Sequence, residues 1–195
     1  MVRRWVLAAL VVTGSIAAIT VGFTAAAFVS NTSNGGDTFS TGTVTITDND
    51  AGGFMLALSS ARPGDSDTSC LRVKYTGSLD STVRLYATVT GGLAPYLQLT
   101  VTRGTDSAPS FDACTNFTAD STNYIGSGAG VIYAGLLSAY PTTYGAGIVD
   151  PTSGSPETWT TSEAHSYEFV ISLNNNAAAQ GLSSTATFTW EARNL

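Results

Sequence analysis

Apolar and polar residues alternate along much of this chain. Thr43-Val44-Thr45-Ile46-Thr47 alternates, and so does Leu71-Arg72-Val73-Lys74-Tyr75. Val83, Leu85, Ala87 and Val89 share one face of a run whose other face carries Arg84, Tyr86 and Thr88. Leu97, Leu99 and Val101 alternate with Gln98, Thr100 and Thr102. Further on, His165, Tyr167, Phe169, Ile171 and Leu173 line one face, and Ala186, Phe188 and Trp190 another. A period of two with a single apolar face predicts antiparallel strands buried on one side.

Turn-forming residues bound these runs: Asp48-Asn49-Asp50 with Gly52-Gly53, Pro63-Gly64-Asp65, Gly91-Gly92 and Asn174-Asn175-Asn176. Residues 54–58 form another apolar run and are expected to be a strand. The stretch 106–158 has weaker periodicity. Within it, residues 131–140 suit a strand and a short helical turn stopped by Pro141, and residues 177–181 suit a second short turn. No long amphipathic helix follows residue 27, and no repeat is visible. Seven to nine strands are expected in the region from residue 28 onward. The predicted fold is all-β: an antiparallel β-sandwich, jelly-roll-like, preceded by an N-terminal signal helix.

The N-terminus breaks the pattern. Arg3 and Arg4 precede an uncharged run from Trp5 to Phe23, and Thr24-Ala25-Ala26-Ala27 follows. Basic residues, an apolar stretch and small residues at the −3 and −1 positions, here Ala25 and Ala27, describe a cleaved secretory signal. Cleavage would leave Phe28 as the new N-terminus. The competing reading is an uncleaved anchor. The 19 residues of 5–23 span about 28 Å as a helix, close to the hydrocarbon thickness. Thr13, Gly14 and Ser15 weaken the middle of the run, and Val2 stands where a twin-arginine signal has Ser or Thr. The expected organisation is a signal at 1–27, an N-terminal arm at 28–42 and a sandwich at 43–195.

Composition narrows the partners. The 195-residue chain carries a net charge of −6, and charged residues make up 11%. Without Arg3 and Arg4, six basic residues face 14 acidic ones. That surface disfavours nucleic acid and anionic lipid, so membrane contact is expected only through residues 5–23 if they are retained. The two cysteines, Cys70 and Cys114, lack the Cys-x-x-Cys spacing of a redox pair. In an exported protein an even count favours a disulfide.

Candidate chemistry is sparse. His165 is the single histidine, and His-Glu-x-x-His is absent. Glu163 lies on the same strand face as His165, whereas Glu168 points the other way. This reads as a structural or surface histidine. Asp48 and Asp50 resemble the start of a calcium loop, and Asp65 with Asp67 repeats the spacing. Calcium wants six to eight oxygens, so turn formation explains these residues better. No Gly-x-Ser-x-Gly elbow marks a nucleophile for a Ser–His–Asp triad. The run Gly126-Ser127-Gly128-Ala129-Gly130 lacks the Gly-Lys-Ser/Thr ending of a phosphate loop. Asn31 and Asn116 fit the glycosylation acceptor pattern. No catalytic residue and no cofactor are indicated.

The stretch Ala27-Phe28-Val29-Ser30, followed by Asn34-Gly35-Gly36-Asp37-Thr38-Phe39-Ser40-Thr41-Gly42-Thr43-Val44, resembles the N-terminal pattern of the TasA/camelysin family. That pattern has an aromatic residue after the cleavage site, a polar Asn/Thr stretch and Thr-Phe-x-x-Gly-Thr-Val/Leu. The Pro63-Gly64-Asp65 turn is also similar. The resemblance implies a secreted bacterial β-sandwich that builds extracellular fibres of biofilm matrix, or a cell-surface metallopeptidase. The missing His-Glu-x-x-His counts against the second. The first has a physical route: an arm bearing Phe28, Val29 and Phe39 adds as a strand to a neighbour's sheet edge. The partner is then another copy of the chain or another surface or matrix component. A ligand- or glycan-binding sandwich is the alternative.

Overall fold

Side-chain alternation turns into strands at most of the places where it occurs. The structure is a computed structural model and describes residues 42–51, 55–58, 61–152 and 155–195. The signal segment, its cleavage residues Ala25, Ala27 and Phe28, and the arm residues Phe28, Val29 and Phe39 lie outside the described residues. Eleven strands are present among the described residues. They are β1 Ile46–Asp48, β2 Ser66–Tyr75, β3 Ser81–Gly91, β4 Leu97–Asp106, β5 Phe117–Ala119, β6 Val131–Leu136, β7 Ile148–Val149, β8 Pro151–Thr152, β9 Ser155–Pro156, β10 Ala164–Leu173 and β11 Ser184–Asn194. The excess over seven to nine comes from β5, β7, β8 and β9, which have two or three residues each. Strands so short carry no periodicity to read.

One sheet runs β1-β2-β10-β4-β5, with β6 also paired to β4; the other runs β11-β3-β7, and β8 and β9 form a small hairpin. Every pairing is antiparallel. The long strands β2, β3 and β4 cross from sheet to sheet in turn. β10 returns to lie between β2 and β4, and β11 then crosses to β3. These crossings give the expected antiparallel sandwich.

The inward faces meet as the alternation predicts. Leu71, Val73 and Tyr75 of β2, Val83, Leu85 and Ala87 of β3, Leu97, Leu99 and Val101 of β4, and Tyr167, Phe169, Ile171 and Leu173 of β10 are all buried. Phe169 joins the layers: its ring lies 4.8 Å from Phe188 and 5.8 Å from Trp190, both on β11. Burying a side chain of this size stabilises by roughly 1.5–3 kcal/mol, and tilted ring pairs add about 0.5–1.5 kcal/mol. Cys70, one residue out of step with the inward row, is joined to Cys114 across a Cα–Cα distance of 5.1 Å. This disulfide ties the 107–116 loop to β2.

Residues 150–152 and 155–163 close one end of the sandwich. Trp159 is fully buried and exchanges two backbone hydrogen bonds with Ser81, the first residue of β3. Asp150 N–H donates to Val83, Ser162 N–H to Tyr75, and Tyr75 N–H to Glu163. The segment therefore ties β3 of one sheet to β2 of the other.

Two local expectations change. Residues 55–58 form no strand; Met55, Leu56 and Leu58 instead pack half-buried against the core while the Ala57 N–H donates to Asp67 at 2.7 Å. The alternation of 43–47 gives a strand only from Ile46, because Thr43 and Thr45 spend their carbonyls on the 76–79 turn. The short turns at Leu137–Ala139 and Ala177–Ala179 form where expected, the first ending just before Pro141.

Candidate functional site

β11 is an edge. It pairs with β3 along its whole length, from Ser184↔Gly91 to Asn194↔Ser81, and no described strand lies on its other side. A row of backbone groups on a strand edge is a template for another strand. The usual protections are missing: β11 contains no proline and no lysine, and its charges, Glu191 and Arg193, stand at its C-terminal end. Beneath the edge lies a groove of about 160 Å³ lined by Ile46, Thr47, Asp48, Val73, Phe188, Thr189 and Trp190. It is the lateral mouth of the sandwich, between β1 of one sheet and β11 of the other. Trp190 lines the groove, and its indole N–H, itself sealed from solvent, has no partner among the described residues.

The titratable side chains gather elsewhere, at the end closed by residues 150–152 and 155–163. Arg103 is the fourth inward position of β4, after Leu97, Leu99 and Val101, and it is buried. Its Nε donates to both oxygens of Asp150 at 3.1 Å, Nη1 pairs with Asp120, and Nη2 pairs with Glu157. Asp150, with no exposure at all, also accepts from Tyr167 Oη at 2.8 Å and from Trp159 Nε1 at 2.9 Å. Burial raises its proton affinity, and Arg103 opposes that. All of its side-chain partners are donors, so the anion is the form they fit.

His165 faces this cluster from β10. Its Nε2 lies 2.9 Å from Arg103 Nη2, 3.3 Å from Glu163 Oε1 and 3.4 Å from Glu157 Oε2. Arginine can only donate, so Nε2 accepts and the neutral ring carries its proton on Nδ1. Burial, with help from Arg103, pushes the imidazole below its usual value. Asp150, Glu157 and His165 place ligand-type atoms within 4.8 Å of one another. The guanidinium of Arg103 already occupies the space among them. The sequence pairing of His165 with Glu163 is therefore realised, and the pair serves to hold an internal cation.

The other sequence candidates find local roles. Asp48 Oδ1 accepts the Asp50 N–H at 3.3 Å, and Asn49 Oδ1 accepts the Arg72 N–H at 2.8 Å. Burial and the Asp50 side chain push the Asp48 carboxyl up. Asp65 accepts the Arg62 N–H at 2.7 Å across the Pro63-Gly64 turn. Glu168 lies opposite Cys70 in the register and away from His165. Gly126, Gly128 and Gly130 have φ of 83°, 132° and 72°. A Cβ on Gly130 would stand 2.5 Å from the Arg103 carbonyl oxygen, so this run is glycine-rich to turn tightly beside β4.

Arg103, Asp150, Glu157 and Trp159 escaped the sequence reading. Arg103 was legible: an arginine continuing an inward apolar row must be paired. Its acidic partners were not, because they come from loops without periodicity. No family model matches the chain, and no curated protein matches it.

Proposed function

We propose that this chain is a secreted structural protein of the cell surface or extracellular matrix that assembles by strand addition. The segment from Phe28 to Thr41 of one copy adds to the free β11 edge of the next. The observation that carries this reading is the eleven-residue β11 edge, unpaired among the described residues, beside a groove lined by Ile46, Val73, Phe188 and Trp190 together with Thr47, Asp48 and Thr189. Length supports it as well. Twelve extended residues, 28–39, reach about 40 Å, and an eleven-residue strand is about 36 Å long. An apolar side chain from the arm, such as that of Phe39, fills the groove while main-chain hydrogen bonds complete the edge. A contact from arm to edge is head-to-tail, and a head-to-tail contact whose rotation does not close into a ring propagates a filament.

Processing then governs assembly, since removal of residues 1–27 frees the Phe28 end. The test uses the chain beginning at Phe28. It should form filaments visible by electron microscopy, and deletion of residues 28–39 should leave a folded monomer. Filaments that survive the deletion, or a monomer at every concentration of the undeleted form, would end the proposal.

A further inference from the structure

The disulfide on the outer face of the larger sheet has a charged neighbour. Glu168 of β10 stands between Cys70 of β2 and Thr102 of β4 in the register. A carboxylate oxygen of Glu168 and the two sulfurs all lie within 4.8 Å of one another. Cys70 is sealed, at 1% exposure, whereas Cys114 is half-buried and reachable from solvent. Glu168 is half-buried too, and among the described residues its carboxylate has no hydrogen bond and no ion pair. Withdrawing a charge from water without a donor is unfavourable, so the sheet gains nothing from an acid at this position. Arg72, next along the outward row after Cys70, makes no ion pair with it among the described residues. Asp112, whose N–H donates to the Cys70 carbonyl at 2.9 Å, brings another acidic residue to the bond.

The chemistry of disulfide cleavage gives that charge something to act on. A thiolate attacks one sulfur and forms a mixed disulfide. With Cys70 sealed, the sulfur open to attack is that of Cys114. The new bond joins Cys114 to the incoming sulfur, the old bond breaks, and Cys70 leaves as a thiolate that takes a proton from solvent. A second thiolate attacks the reagent's sulfur and releases Cys114. Two thiols are thereby oxidised and the protein's cystine is reduced. The first step brings a negative sulfur towards Cys114 and builds negative charge on Cys70, both beside the Glu168 carboxylate.

We propose that Glu168 is a charge guard on the Cys70–Cys114 bond, slowing attack by thiolates and slowing most those that carry a further negative charge. Two unit charges about 5 Å apart repel enough to change a rate about fourfold in water, and more where solvent is partly excluded. A thiolate with a second anionic group meets this repulsion twice over, and one with an ammonium group meets almost none. The guard concerns the disulfide alone and holds whether or not β11 accepts a strand.

Reduction rates of the folded Phe28–Leu195 protein test this. Released thiol is followed with mercaptoethanesulfonate, mercaptoethanol and cysteamine, and each rate is expressed per thiolate. Glu168→Gln should speed the sulfonate at least about fivefold, mercaptoethanol by less, and cysteamine by less than about twofold. Glu168→Thr, a strand-favouring residue without charge, should give the same order and serves if the glutamine variant does not fold. Asp80→Asn removes a charge from the turn before β3 and should leave all three rates nearly unchanged. Equal acceleration of the three thiols would mark a structural effect and overturn the guard. Rates that neither Glu168 variant changes, or an effect that D80N reproduces, would overturn it as well.

Discussion

Replacing Arg103 with methionine keeps an apolar stem of similar length and removes the charge. In the folded protein this leaves Asp150, which is wholly buried, with Tyr167 and Trp159 as donors but with no cation. Asp120 and Glu157 lose their partner as well. Removing one member of a buried ion pair costs about 3–5 kcal/mol, because the remaining charge stays desolvated. For a domain of this size each kcal/mol moves the melting temperature by about 2–4 °C, so the midpoint should fall by roughly 10 °C. Urea unfolding at pH 7, followed by tryptophan fluorescence, measures the loss. Part of it should return on acidification, when Asp150 can take up a proton and cease to be an isolated anion. Adding Asp150→Asn to R103M should recover part of it at pH 7 for the same reason. A loss below about 1 kcal/mol, or a double variant no more stable than R103M, would refute the view that Arg103 holds this end of the sandwich together through charge.

Other outcomes follow from the same structure. The unreduced, denatured protein should show no free thiol, and Cys70→Ser with Cys114→Ser should lower stability by about 4 kcal/mol in the chain-entropy model for a separation of 44 residues. Phe169→Ala, at a position with no exposure between the two sheets, should cost about 3–5 kcal/mol in urea unfolding without changing the sheet signal in circular dichroism. Global stability should also respond to Glu157. Its folded-state affinity for the proton is raised, so the stability it contributes is complete in acid and is lost as pH rises towards 8. His165 works in the opposite sense, since burial lowers its proton affinity and acid must charge it beside Arg103. A bell-shaped stability profile is therefore expected, and E157Q should flatten its alkaline side.

The sandwich was legible because strands buried on one face repeat every two residues, and that signal survives in a single sequence. Val83 to Ala87 and Tyr167 to Leu173 sit as their alternation requires. The disulfide was legible from an even cysteine count in a chain with an export-like N-terminus. Strand order was not, because β10 pairs with β2 and β4 across more than sixty intervening residues and no local pattern records that. The end of the sandwich was equally hidden. Trp159, Asp150 and Glu157 belong to a segment whose shape is set by backbone bonds to Ser81, Val83 and Tyr75, not by its own periodicity. His165 reads from the sequence as a structural or surface residue, and its position among Arg103, Glu157 and Glu163 explains how a lone histidine inside a strand takes the structural role. The calcium-like spacing of Asp48 and Asp50 reflects a turn in which one residue accepts the other's N–H.

Hydrogen exchange across β11, Ser184–Asn194, in the protein beginning at Phe28 tests the assembly reading most directly. The unpaired amides of this edge should become protected as protein concentration rises, and the protection should vanish when residues 28–39 are removed. Protection that is absent at every concentration, or that stays the same in the shortened chain, would contradict strand addition at β11.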